Sequence, residues 1–473
     1  MTLDITVIIS YMVLVNIIGI ACARVGSIND YFLGSRSIPW PVACFSIVAT
    51  ETSSLTFISI PGLAYISNMG FLQVALGYII GRVLVATVLL PRYFAGNLET
   101  AYEFLQNRFG LLTRRVMAVL FHITRLLADS IRLFATAIPL SLLMGFDGYW
   151  QAILIVGATT FLYTLYGGIR AVAITDSIQL GVYIVSAVAG IFIIAQILDM
   201  PVLEVYRSVP AAGRAIFSTG TAAGWSGIFG SYNIFSGVIG GAILSFASHG
   251  TDHLIVQRIL ACRNLAAARK AMIWSGIIVF FQFGLFLLWG LFIYAMLGGK
   301  KFDIPDTIIP YFIIEHVPSG VKGIMLAGIF AAAMSTISAS INSISSSTAM
   351  DILRLSEKNI PARRKLLISR AISLAWACVM MGIAFLLQNS RSPLVELGLS
   401  IASITYGGML GIFVQGALSD RFSDRAALAG VMASIAAVLA VFLLCDLFWP
   451  WFVPLGFGVS LLVASVLNRL MKR

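Results

Sequence analysis

The chain has 473 residues, of which 59% are hydrophobic and 11% are charged, and its formal net charge is +11. Soluble proteins average about 45–50% apolar and about 25% charged residues, so this composition excludes an ordinary soluble protein. The surplus of apolar surface must face lipid. In a membrane protein the basic excess marks cytoplasmic loops, so it does not indicate a nucleic-acid surface.

The apolar runs predict an all-α membrane protein with about thirteen spanning helices and no soluble domain between them. The first run is interpreted as a retained helix, because it lacks the basic segment and the cleavage site of a signal peptide. The predicted spans are 4–23, 40–66, 71–92, 113–144, 150–167, 171–198, 231–257, 270–298, 319–350, 366–387, 393–416, 426–446 and 450–469.

The distribution of basic residues predicts an orientation. With the N-terminus outside, the inside segments hold 22 of the 31 basic residues, the outside segments hold six, and three lie within spans. Cytoplasmic loops of membrane proteins are enriched in Lys and Arg. We therefore expect a multi-pass protein of the inner membrane with an outside N-terminus and a cytoplasmic C-terminus.

Two spans are predicted to be broken helices. In the second span, six of the seven residues from Thr50 to Thr56 are polar, and such side chains compete for backbone hydrogen bonds. The seventh span, GVIGGAILSFASHGTDHL, is rich in glycine and polar in its second half. Broken helices at membrane depth line binding sites in transporters, at matching positions of two repeats. Residues 40–198 and 231–416 would be these repeats, and 1–30 and 426–473 would be additions.

The ninth span carries a stretch of small and hydroxyl residues, AAAMSTISASINSISSST. Ala332, Ser335, Thr336, Ser338 and Ala339 recur at spacings of three and four, so they share one face of a helix. Hydroxyl and carbonyl oxygens are ligands for hard cations. A neutral set of oxygen atoms suits a monovalent ion that must also be released.

Six segments carry a resemblance to a known family. They are, in chain order, DYFLGSRSIPW, ATETSSLTFISIPG, TAYEFLQNRFG, YGGIRAVAITDSIQ, GTDHLIVQR and AAAMSTISASINSISSSTAMDI. In this order and spacing they resemble the sodium:solute symporter family over almost the full chain, and SSLTFISIP resembles its sialic-acid transporter branch. The resemblance implies a leucine-transporter-like fold with a five-plus-five inverted repeat, alternating access, and Na⁺ as the coupling ion.

The resemblance also implies two ion sites. The principal Na⁺ site would comprise Ala49, Thr52, Ala332, Ser335 and Thr336. A second Na⁺ ion, held in some relatives, would bind Asp176, Ser335 and Ser338. The family's third serine of that second site is replaced by Ala339, which lacks a hydroxyl. A purely structural alternative for Asp176 is a hydrogen bond to a hydroxyl of a neighbouring helix.

In the sialic-acid branch, the substrate contacts match Glu51, Ser53, Thr56 and Phe71. Glu51 stands where that branch has a threonine, and Ala75 stands where it has a glutamine. An unpaired glutamate would repel an acidic sugar, so sialic acid is not the predicted substrate. Ser245 is a further candidate for the substrate site.

Ionisable residues within spans are costly and usually functional. Arg125, Asp129 and Arg132 share a face of the fourth span. They form either a self-neutralising network or, through one of the two arginines, a site for an anionic substrate group. Glu51 binds substrate, pairs with one of these arginines, or carries a proton.

His249, Asp252 and His316 are expected to make local hydrogen bonds only. Partners expected from the sequence are a small-molecule substrate and the lipid bilayer, with no nucleic acid, and the protein is expected to be a monomer.

The sequence thus predicts a secondary active transporter for the sodium-coupled uptake of a sugar, sugar acid, amino acid or carboxylate. Proton coupling through Glu51 and Asp176, or a transporter-like solute sensor, remain the alternatives. An ion channel would need a repeated filter loop, which the sequence lacks. The chain has no HExxH, GxSxG or nucleotide-binding loop, so an enzyme is not predicted.

Overall fold

The computed structural model describes residues 2–23, 25–221, 224–387, 394–419 and 422–471. Within these ranges the protein is helical, and its single β-type contact is an isolated parallel bridge between Ile38 and Cys262. The α-helices are α1 (Thr2–Ala21), α2 (Ile28–Leu33), α3 (Trp40–Glu51), α4 (Ser54–Ile66), α5 (Leu72–Leu84), α6 (Leu90–Ala95), α7 (Ala101–Phe109), α8 (Leu111–Met144), α9 (Trp150–Ile197), α10 (Val202–Ser208), α11 (Gly224–Gly230), α12 (Gly241–Gly250), α13 (His253–Leu260), α14 (Leu265–Leu297), α15 (Ile308–His316), α16 (Val321–Ser347), α17 (Ala362–Leu386), α18 (Leu394–Leu418), α19 (Asp424–Leu444) and α20 (Phe452–Leu470).

By length and apolar composition, ten described helices can cross a membrane, or eleven if the bent pair α3 and α4 forms one span. Two further predicted spans have helical counterparts. Helix α8 has 34 residues and a length of about 51 Å, although its charges make it less apolar. Helix α9 has 48 residues and covers the fifth and sixth predicted spans, which are divided where Gly168 leaves the helical conformation. All thirteen predicted spans therefore have helical counterparts, but the second is the pair α3 and α4, the fifth and sixth share α9, and the seventh contains α12 and most of α13.

Gly168 makes this division possible. Its φ is 56°, in the left-handed region, and a Cβ atom there would lie 2.4 Å from the carbonyl oxygen of Tyr31. Glycine adopts positive φ readily and lets two backbones approach closely. The residue therefore joins two spans through a sharp change of direction while α2 packs against α9.

Helix α16 forms the centre of the molecule. In the most apolar stretch of α16, 94% of the residues are buried, compared with 22% in that of α17. Its serines, threonines and alanines let α9, α1, α8 and α3 pack around it. The small polar stretch predicted to bind an ion thus lies on the innermost helix.

Candidate functional site

The second span is broken where the sequence predicted. Helix α3 ends at Glu51 and α4 begins at Ser54, and the two axes are bent by 66°. Thr52 and Ser53 between them are extended, and Ser53 caps α4 by accepting a hydrogen bond from the Thr56 amide. The Ser53 amide donates to the carbonyl of Glu51 at 3.1 Å rather than to that of Ala49. The Ala49 carbonyl therefore loses its usual helical donor and can face a cation.

Helix α16 reaches this break. The Thr336 hydroxyl lies 3.3 Å from the carbonyl oxygen of Thr50 and 3.2 Å from that of Ala332. Ser335 is fully buried, and its Oγ interacts with the Asp176 carboxylate without forming a hydrogen bond of normal geometry. A buried hydroxyl without a well-formed hydrogen bond is costly unless something else binds it. A cation between α16 and the break would satisfy both this oxygen and the Ala49 carbonyl.

Thr52, the remaining ligand expected for the principal ion, is held in place from two sides. Its hydroxyl donates to the Val48 carbonyl at 2.9 Å and accepts a hydrogen bond of 2.6 Å from Nε2 of Gln282 on α14. The five predicted residues thus come from two elements that touch each other. Their oxygen atoms are neutral, which fits a monovalent cation better than a transition metal.

Two of the residues predicted for a second ion, Asp176 and Ser338, have hydrogen-bond partners in the protein. Asp176 is fully buried, and its Oδ2 accepts hydrogen bonds from Ser46 and, at 3.1 Å, from Arg258. Ser338 donates to the carbonyl of Ser335 at 3.0 Å. Arg258 is one of the 22 basic residues assigned to the inside segments, but its side chain is fully buried in α13, so it is not a residue of an exposed loop. The predicted hydroxyl partner of Asp176 is Ser46, and Arg258 binds the same carboxylate oxygen.

Glu51 pairs with Arg82, which lies outside the fourth span. Arg82 of α5 forms a salt bridge with Oε2 of Glu51 and also donates to Ser275 at 2.6 Å. Nε2 of His249 lies 3.6 Å from the same carboxylate oxygen. Pairing of Glu51 with an arginine of the fourth span is therefore wrong. His249 makes its local hydrogen bond, to Ser248 at 2.9 Å, but it also faces this pair.

The arginines of the fourth span, Arg125 and Arg132, form a self-neutralising network with acids, which was one of the two predicted alternatives. Arg132 donates to Asp129 at 2.7 Å, and Arg125 lies 3.9 Å from Asp129. Arg125 also bonds Asp252 and Tyr406, so Asp252 has a long-range partner as well as its expected local one. Of the two arginines, Arg132 is more exposed, at 16% against 7%.

Arg132 is also the nearer of the two to the break along α8. It lies one turn before Thr136, whose hydroxyl is 2.7 Å from that of Ser54 at the start of α4. Both arginines are nevertheless paired with acids, so neither offers an uncompensated positive charge to a substrate.

The other predicted substrate contacts are distributed around the break. The hydroxyls of Ser53 and Thr56 lie 3.3 Å apart. The ring centroids of Phe71 and Phe283 are 5.1 Å apart, and Phe283 is next in sequence to Gln282. Ser245 donates to the carbonyl of Tyr78 at 3.1 Å, so its hydroxyl is already used in helix packing.

His316 packs at 6.3 Å against the ring of Phe312, away from these residues.

Comparison with known proteins gives a consistent result. The profile of the sodium:solute symporter family matches residues 31–434. The sodium/sialic acid symporter NanT of Aliivibrio fischeri is 28% identical over 100% of this chain and 94% of its own length. The solved substrate-bound outward-open state of a Na⁺-coupled sialic acid symporter superposes with a TM-score of 0.89 at 26% identity, covering 99% of this chain and 98% of that one.

A more distant structure supports the fold alone. Mhp1, a nucleobase-cation-symport-1 family transporter, matches 93% of this chain and 94% of its own with a TM-score of 0.58 at 14% identity. The predicted all-helical, leucine-transporter-like fold is thereby confirmed.

Proposed function

Because the chain belongs to the sodium:solute symporter family, we propose that its coupling ion binds where α16 crosses the break between α3 and α4. The protein is a multi-pass membrane transporter, not an enzyme, and couples Na⁺ to the symport of a small organic solute. The proposed ligands are Ala49, Thr52, Ala332, Ser335 and Thr336. The observation that carries this proposal is the 66° break, which frees the Ala49 carbonyl beside the point where Thr336 of α16 contacts the Thr50 carbonyl.

In this proposal, Na⁺ joins two elements that must separate during transport. Bound sodium holds α3 and α4 against α16 and favours the outward-open state. The solute then binds beside the break, near Glu51, Ser53, Thr56 and Phe71, the outer path closes and the inner path opens. A membrane potential of 100 mV contributes about 2.3 kcal/mol per charge, and a tenfold sodium gradient adds about 1.4 kcal/mol. One ion therefore supports a solute concentration ratio across the membrane of roughly several hundred.

We propose one sodium ion per transport cycle. A second ion at Asp176, Ser335 and Ser338 would share the Asp176 carboxylate with Arg258, whose charge already neutralises it. Ala339 contributes no hydroxyl that would offset this competition. Proton coupling has less support than sodium coupling, because Glu51 and Asp176 are each paired with an arginine. A sensor without transport has no support from the relatives.

The proposed setting is the inner membrane of a bacterium, with the N-terminus outside and the C-terminus in the cytoplasm. The proposed inverted repeats are 40–198 and 231–416. We further propose a monomer that binds no nucleic acid, since the basic excess is accounted for by loops that face the cytoplasm.

The test is solute uptake into proteoliposomes with an inward gradient of Na⁺ or of K⁺, at fixed pH and with an imposed membrane potential. A metabolite panel identifies the solute, and the sodium concentration at half-maximal uptake is then measured. Thr336→Ala should raise that concentration at least about tenfold, equivalent to about 1.4 kcal/mol.

The matched control is Thr159→Ala, which removes an exposed hydroxyl bonded only to the carbonyl four residues earlier. It should leave the sodium dependence unchanged. Equal sodium dependence in the Thr336→Ala variant and the wild type would place the ion elsewhere. Uptake that follows a proton gradient and ignores sodium would contradict the function itself.

A further inference from the structure

Helices α5, α8 and α13 carry four arginines whose partners are acids of the helices around the break. The pairs are Arg82 with Glu51, Arg125 with Asp252, Arg132 with Asp129, and Arg258 with Asp176. Four guanidinium groups are thus balanced by four carboxylates. A solute that enters this region meets no uncompensated positive charge on these four side chains.

The pair nearest the proposed substrate position is Glu51 with Arg82. Arg82 is fully buried, whereas the Glu51 side chain is 16% exposed and ends α3 at the break. Arg82 and His249 both address Oε2 of the carboxylate, and the described hydrogen bonds leave Oε1 without a donor. An incoming solute therefore meets a carboxylate oxygen first, with the guanidinium group behind it.

We propose that the transported solute carries no net negative charge, and that a hydroxyl or ammonium group of the solute donates a hydrogen bond to Glu51. This inference rests on the proposed function and narrows its substrate class to uncharged or zwitterionic solutes. A carboxylate ion would be repelled by Glu51, and it could reach Arg82 only by displacing a buried ion pair. Glu51 is thus a specificity-determining residue, because its carboxylate accepts hydrogen bonds from solute donor groups and repels anionic solutes.

The inference separates this chain from its relatives named for sialic acid, an anionic sugar. The fold and the break are shared with them, so the difference lies in charge. In this chain Glu51 cancels the positive charge of Arg82 within the site. Removing only the carboxylate charge should leave Arg82 unpaired and reverse the preference.

The first experiment measures uptake by the wild-type protein in proteoliposomes with an inward sodium gradient, using pairs of similar solutes. Suitable pairs are alanine with lactate, glucose with glucuronate, and N-acetylmannosamine with N-acetylneuraminate, together with the solute that the metabolite panel identifies. The solute driven by sodium should have no net negative charge, and its anionic counterpart should be at least about tenfold weaker. Preferred uptake of an anion overturns the inference while leaving sodium coupling intact. Absence of sodium-driven uptake of any solute overturns the proposed function and this inference with it.

The second experiment reverses the preference. Glu51→Gln keeps the shape of the side chain and removes its charge. The variant should lose affinity for the wild-type solute at least about tenfold and gain affinity for the anionic counterpart. The double variant Glu51→Gln/Arg82→Gln should lose affinity for the wild-type solute without gaining affinity for the anionic counterpart.

The matched control is Asp351→Asn, which frees Arg114 from a buried salt bridge away from the break. It should bring no affinity for anions. An equal gain with Asp351→Asn would assign the effect to net charge and overturn the role of Glu51. Because the wild-type comparison needs no variant, poor folding of a variant does not remove the test.

Discussion

At the scale of single residues, the environment of Asp176 shows how charges persist at membrane depth. Arg258 donates to Asp176 at 3.1 Å and to the carbonyl of Leu254 at 2.7 Å, and Ser46 bridges the pair. Both charged side chains are completely buried. An ion in a low-dielectric interior is tolerated only when a partner and further hydrogen bonds compensate it.

This pair yields a stability prediction. Arg258→Met should destabilise the protein by about 3–5 kcal/mol, because it leaves the Asp176 carboxylate buried and unpaired. The double variant Asp176→Leu/Arg258→Met should recover much of this loss, because no buried charge remains. Thermal unfolding of the purified protein, followed by intrinsic fluorescence, measures both effects.

The control is Arg354→Met, which breaks an exposed salt bridge with Glu357 whose side chains are 32% and 47% accessible. Exposed pairs contribute about 0–1 kcal/mol, so this variant should unfold almost as the wild type does. Equal losses for Arg258→Met and Arg354→Met would contradict the burial argument.

Asp176 also bears on the number of sodium ions that are transported in each cycle. With one sodium site, the Hill coefficient for sodium should be near one in the wild type, as measured by initial uptake rates. A coefficient near two in the wild type that falls to one in an Asp176→Asn variant would establish the second site instead.

At the scale of elements, the helix that carries Arg82 lies very close to its neighbour. A Cβ atom at Gly81 would lie 2.3 Å from the carbonyl oxygen of Ala242 and 2.7 Å from Cβ of Ser245. Helices α5 and α12 therefore meet backbone to backbone beside the Glu51 pair. Small residues permit this approach, which is a common way to pack helices in membranes.

We predict that Gly81→Ala disrupts this contact. Because the obstructing atoms include backbone, the helices must separate, and the yield of folded protein and the sodium-driven uptake should both fall. Size-exclusion chromatography and the uptake assay measure the two effects.

Gly181→Ala is the matched control, since Gly181 is exposed on α9 and its Cβ would meet nothing within 4 Å. It should be neutral, or stabilising by up to about 1 kcal/mol, because alanine is the better helix former. Loss of folding in both variants would contradict close packing as the cause.

At the scale of the whole molecule, the orientation across the membrane is a prediction from the distribution of basic residues and an odd number of spans. The loops after α14 and before α17 lie on opposite sides in this scheme, because α16 crosses once between them. Lys301 and Lys358 are exposed residues in these two loops.

Cysteine labelling tests the orientation. In a cysteine-free background, Lys301→Cys should react with a membrane-impermeant maleimide in intact cells, and Lys358→Cys should react only after the membrane is permeabilised. The two substitutions are chemically identical, so each controls for the other. The reversed pattern would place the N-terminus inside.

Local sequence alone determined much of this protein. Hydrophobic run length located the helical segments of the predicted spans, because a span needs about 20 apolar residues whatever its neighbours are. The hydroxyl cluster from Thr50 to Thr56 located the break, since those side chains compete with their own backbone. The three- and four-residue spacings among Ala332, Ser335, Thr336 and Ala339 predicted a shared helix face, because an α-helix turns once in about 3.6 residues.

Only the tertiary structure decided which charges meet. Glu51 and Arg82 are 31 residues apart, Asp176 and Arg258 are 82 apart, and Arg125 and Asp252 are 127 apart. A buried ion requires a partner, so the sequence indicates that one exists. Which arginine serves which acid depends on helix packing that brings distant segments together, and no local pattern encodes it. The charge balance beside the break, and with it the proposed class of substrate, therefore became visible only in the folded molecule.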